Sequence, residues 1–162
     1  MSEGKVPNFF QRLGNFGIGR IFKSADFIIA IIITLIGAFT FFNMLLESEI
    51  RTKILTDISS VSISIMTIVL AGFAIVISLS DKKFIALLKR YNLYENIIFY
   101  FEWTTLVSIF TFIITFVDKY LYSNSYFFFF NIFLMIYLIG CLIKLMTFIT
   151  KFSIFKGEIS SL

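Results

Sequence analysis

The chain has 162 residues, 59% hydrophobic and only 15% charged, with 14 Lys and Arg against 10 Asp and Glu. Ordinary globular domains carry about 25% charged residues, and a soluble fold of this length has too little interior to hide so much apolar surface. The composition describes an integral membrane protein. It also excludes much chemistry: there is no His and one Cys, so the usual base near neutral pH, the commonest metal ligand and any disulfide framework are missing. No G-x-G-x-x-G, Walker loop, G-x-S-x-G or H-E-x-x-H occurs, and neither an enzyme, a cofactor nor a metal site is expected.

Residues 1–26 interleave Lys5, Arg12, Arg20 and Lys23 with Phe9, Phe10, Leu13, Phe16, Ile18, Ile21 and Phe22. The charge does not directly precede a short apolar core, so a cleavable signal peptide is not expected. Gly14, Gly17 and Gly19 weaken a continuous helix. The pattern predicts a basic amphipathic segment on the membrane surface. An arm for an anionic ligand or partner is the sharper alternative.

Residues 27–46, FIIAIIITLIGAFTFFNMLL, form the first expected span. About 20 apolar residues at 1.5 Å rise cover a hydrocarbon core of about 30 Å. Asp26 suits the positive end of that helix. Residues 47–57 read as a short mixed-charge loop, and 58–80 as the second span.

The second span is rich in small and hydroxylated residues. Ser60, Ser64, Thr67, Ala71, Ala74 and Ser78 follow one another at intervals of four, three, four, three and four, which lays one narrow stripe along a helix. Ile63, Ile65, Met66, Val69, Leu70, Phe73 and Ile77 are expected to be the bulky opposite positions. Small residues let helices approach closely in lipid, and hydroxyls can bond across an interface or line water. Packing within one bundle, oligomer contact and pore lining all fit the stripe.

Residues 81–96, DKKFIALLKRYNLYEN, alternate Lys82, Lys83, Lys89 and Arg90 with apolar side chains and predict a basic helical loop on the membrane surface. The third span is expected over 97–117 and the fourth over 126–149, with a short tail over 150–162. Ten of the 14 basic residues fall in the N-terminal segment, the middle loop and the tail. The excess of Lys and Arg on the inner side then places both termini and the middle loop in the cytoplasm of a plasma-membrane protein. The expectation is all-α: one four-helix transmembrane bundle, both ends inside.

Two charges fall within the spans. Glu102 lies about six residues from Asn96, and Lys144 about seven from Lys151, so both sit about 9–11 Å inside the boundary. Opposite charges at equal depth predict an ion pair, since an unpaired ion there costs at least about 2.5–3.5 kcal/mol. Snorkelling to the headgroups is the other solution. Asn43 and Asn131 are expected to hydrogen-bond between helices.

The run AGFAIVISLSDKKFIALLKRYNLYENIIFYF, residues 71–101, resembles small four-helix membrane effectors of bacterial anti-phage defence systems. The Hailong membrane effector is the first candidate and the membrane subunit of Kiwa the second. The resemblance covers about a fifth of the chain. It implies a homo-oligomer, with a tetramer expected, that works as a gated ion channel. It also implies a nearby soluble nucleotidyltransferase whose single-stranded DNA oligomers hold the channel closed. Arg12, Arg20, Lys23, Lys82, Lys83, Lys89 and Arg90 would face that polyanion; attraction to anionic lipid would use the same charges. A non-conducting scaffold or immunity protein that binds a soluble partner is the competing function. A small transporter would show internal repeats or broken helices.

Overall fold

Asn8 opens the first described helix, its N–H donating to Gln11 Oε1 at 3.0 Å. Helix α1 (Phe9–Phe16) ends at Gly17, whose φ of +87° is a left-handed conformation that glycine adopts without cost. Helix α2 (Ile18–Phe22) is followed, after a turn at Lys23 and Ser24, by α3 (Ala25–Leu45), α4 (Ser48–Ser78), α5 (Leu93–Tyr120) and α6 (Ser125–Ser160). The computed structural model describes residues 8–45, 48–78, 85–86, 93–121 and 124–160. No strand occurs among them.

The fold is all-α, as the composition implies, but the described helices number six rather than four. The two extra ones come from the N-terminal segment, which Gly17 and the turn at Lys23–Ser24 cut into short pieces. Among the described residues, three helical stretches are long and apolar enough to cross a membrane: Glu49–Ser78, Tyr94–Tyr120 and Ser125–Lys151, with a shorter apolar stretch at Ala25–Thr40. They mark the chain as a membrane protein.

Helix boundaries depart from the expected spans in one direction: the helices run on. Residues 48–57 are the first turns of α4, not a loop, and Arg51 and Thr56 within them bond to α5. Arg51 pairs with Asp118 and donates to the Asn124 carbonyl at 2.8 Å, while Lys119 Nζ donates to Thr56 Oγ1 at 2.9 Å. Helix α5 starts at Leu93, four residues before the expected span, and α6 carries the expected tail through Ser160. Of the expected basic loop, residues 85 and 86 are helical and 93–96 belong to α5; Lys82, Lys83, Lys89 and Arg90 lie outside the described residues.

Helix α5 is central. It packs on α4 and α6, α3 leans on α6, and α1 lies along α5. The core joins Ile65 and Val69 of α4, Ile97, Phe99, Phe101 and Val107 of α5, and Leu138, Cys141 and Leu145 of α6, with Ile21 and Ala30 from the N-terminal side. Phe9, Leu13 and Phe16 of α1 pack against it, and Phe16 stacks on Phe99 at 4.3 Å between ring centroids. The α3–α6 crossing is tight enough to require glycine: a Cβ on Gly140 would lie 2.8 Å from Asp26 Cβ. Most of α3 remains uncovered, with Leu35, Ile36 and Phe39 at 64%, 59% and 92% exposure, a surface suited to hydrocarbon.

Candidate functional site

All six stripe residues, Ser60, Ser64, Thr67, Ala71, Ala74 and Ser78, are exposed on α4. The side of α4 that meets the bundle carries Leu55, Ile58, Ser62, Ile65 and Val69, each buried. The stripe therefore does not pack within the single chain, which removes the first of its three readings. Of the bulky positions expected opposite, Ile65 and Val69 do point inward. Ile63, Leu70 and Ile77 instead flank the stripe on the exposed side, because at 100° per residue they lie next to it. Ser64 and Thr67 donate to the carbonyls of Ser60 and Ile63 at 2.9 and 3.0 Å, and Ser78 to that of Ile75 at 3.0 Å. The hydroxyl protons of Ser64, Thr67 and Ser78 are thus satisfied inside the helix while their oxygen lone pairs stay available outward.

The bundle's own polar requirement is met elsewhere. Thr104, Ser108, Thr111, Thr115 and Asp118 repeat the same four-and-three spacing on the inner face of α5, and all are buried. Thr104 and Thr111 donate to the carbonyls of Tyr100 and Val107, at 2.8 and 2.7 Å. Thr115 donates to Thr111 O and also contacts Asn131 Oδ1 at 2.9 Å, and Asn131 Nδ2 donates to Asp118 Oδ2 and Phe127 O at 3.0 Å each. Asp118 completes an ion pair with Arg51, whose guanidinium also lies 5.3 Å from the centre of the Phe128 ring. Ser108 Oγ is buried without a hydrogen bond. The spacing test that singles out α4 would have found this row. Arg51, counted as a loop charge, offers no such signal, because only the folded chain turns it inward. Asn131 does bond between helices, as expected; the Asn43 side chain lies outside the described residues.

At the opposite end the embedded charges are paired, but not with each other. Glu102 takes a two-pronged contact from Arg12, whose Nε donates to Glu102 Oε2 at 3.1 Å. Lys144 pairs with Asp26. The expected Glu102–Lys144 pair fails because two nearer partners intervene. Helix α1 along α5 delivers Arg12, and the close crossing at Gly140 delivers Asp26 one turn from Lys144. Arg12 is consequently withdrawn from the expected anion-facing set, its side chain 11% exposed, whereas Arg20 and Lys23 are exposed. Arg20, Asp26 and Lys144 share a cavity of about 190 Å³ with Trp103, Tyr137 and Cys141. Trp103 Nε1 donates to Tyr137 Oη there at 3.0 Å. Among the described residues no group of three or more His, Cys, Asp or Glu side chains could hold a metal ion.

No family model, curated protein or solved structure matches the chain.

Proposed function

We propose that the chain assembles with copies of itself into a gated ion channel of the bacterial plasma membrane. Each copy contributes four spans with both ends in the cytoplasm, and the channel acts as a depolarising effector in defence against phage. The observation that carries this reading is the outward aspect of the α4 stripe: a half-polar face of small residues, exposed on the single chain and surplus to its packing. In lipid such a face is stabilised by close approach of a neighbouring helix or by water. Flanking Ile63, Leu70, Ile75 and Ile77, all exposed, supply the apolar rim of that contact.

The gate answers to an anionic, oligonucleotide-like ligand on the basic face, made by a soluble partner. Arg20 and Lys23 present exposed positive charge near the α2–α3 turn, and the basic run Lys82–Lys83 begins four residues after Ser78 in sequence. A ligand there switches the channel only by binding its closed and open arrangements with different affinity.

Ion flux from proteoliposomes tests the reading. Ala71→Trp and Ala74→Trp should abolish flux, and Ile113→Trp, at a position 50% exposed on α5, should preserve it. A labelled DNA oligomer should bind the wild-type protein with affinity that falls steeply as salt rises. Absence of flux from a wild-type protein that is monomeric in detergent would favour the scaffold function instead.

A further inference from the structure

Between α3 and α6 runs a groove of about 560 Å³ with two unlike ends. Its deep part is walled by Ile29 and Ile33 of α3 and Ile139 and Ile143 of α6, between 41% and 61% exposed. Gly140, with no side chain, lies at the crossing that forms the groove. Its other end carries Lys144 and Lys151. From Ile136 to Lys151 the groove follows 15 residues of helix, or about 22 Å. That length reaches from the headgroup boundary past the middle of a hydrocarbon core of about 30 Å.

The charge is as uneven as the polarity. Asp26, the acidic group of the groove, is taken up by Lys144. Lys151 is exposed and has no ion-pair partner among the described residues. The polar end therefore keeps one uncompensated positive charge above an apolar channel.

We propose that this groove is a binding site for an anionic phospholipid, with its phosphate at Lys151 and Lys144 and one acyl chain lying between Ile29, Ile33, Ile139 and Ile143. Charge complementarity selects the headgroup, since a basic side chain near an anionic lipid adds about 1 kcal/mol, or about fivefold in affinity. The isoleucine walls select an acyl chain over a soluble phosphate. No α4 residue lines the groove and the site needs no conduction, so it stands or falls separately from the channel.

The test uses the full-length chain purified in detergent and native mass spectrometry. Phosphatidylglycerol and phosphatidylcholine with identical acyl chains are titrated in parallel. The wild-type protein should retain phosphatidylglycerol in preference to phosphatidylcholine. Lys151→Gln, which breaks no ion pair among the described residues, should weaken that retention about fivefold. Ile143→Trp should fill the groove and release both lipids, whereas Ile113→Trp, on the exposed side of α5 and outside the groove lining, should change neither. Equal retention of the two lipids, or retention unaffected by Lys151→Gln, overturns the proposal. So does a short DNA oligomer that displaces phosphatidylglycerol from the wild type and binds Ile143→Trp equally well, because phosphate alone would then suffice.

Discussion

Asp118 shows why charged residues survive inside this bundle. Its side chain is fully buried against Arg51 and is also bonded by Asn131. Removing one member of a buried pair strands the other, at a cost of about 3–5 kcal/mol. Asp118→Ala should therefore destabilise the protein by about that amount in detergent-unfolding titrations followed by circular dichroism. Lys53→Ala, which breaks the exposed pair with Glu49 on the same helix, should change stability by no more than about 0.5 kcal/mol. Equal effects would mean that the Arg51–Asp118 contact is not what joins α4 to α5. That a charge closes the third span is legible in the sequence, where Asp118 follows the apolar run, whereas Arg51 reads as a loop charge. That they face each other is not, because 67 residues separate them.

Among the elements, α1 is held by means that differ from those of the long helices. It has eight residues, too few to be a stable helix in isolation. What holds it is Phe9, Leu13 and Phe16 on the core together with the Arg12–Glu102 contact. Glu102→Gln keeps the shape of the side chain and removes the charge. Since hydrogen bonds to charged groups are worth about 1.5–3 kcal/mol, amides of α1 should exchange with solvent at least about tenfold faster in this variant. Amides at the centres of α5 and α6 should exchange at their wild-type rates, opening by larger and costlier fluctuations. Unchanged exchange in α1 would assign its docking to the aromatic contacts alone. The amphipathic pattern of residues 1–26 is visible in the sequence; that Phe9, Leu13 and Phe16 pack on the core while Phe10 and Phe22 stay exposed is not.

At the scale of the whole molecule, the arrangement separates two polar rows of identical spacing. The row on α5 is buried inside the chain, and the row on α4 is exposed. If copies meet through α4, cysteines placed there should cross-link. Cys141 is buried and is the chain's one cysteine, so Cys141→Ala gives a clean background. Ala71→Cys and Ala74→Cys in that background should form disulfide-linked dimers in membranes, because a small-residue contact brings backbones within the roughly 4.4–6.8 Å that a disulfide spans. Ile36→Cys, on the exposed side of α3, should remain monomeric. The opposite result would move the interface from α4 to α3.

Composition and periodicity by themselves determined that this is an all-helical membrane protein, where its long apolar helices lie, and that α4 has one small, hydroxyl-bearing face. Those properties are local: they follow from hydropathy summed over about 20 residues and from the 3.6-residue turn. Only the tertiary structure decided that this face turns outward, that Glu102 goes to Arg12 and Lys144 to Asp26, and that Arg51 reaches Asp118. Depth along a helix can be counted from the sequence, but rotation about its axis and choice of neighbour cannot. Both are set by packing, as at Gly140, where α3 approaches α6 too closely for a side chain and so brings Asp26 to Lys144.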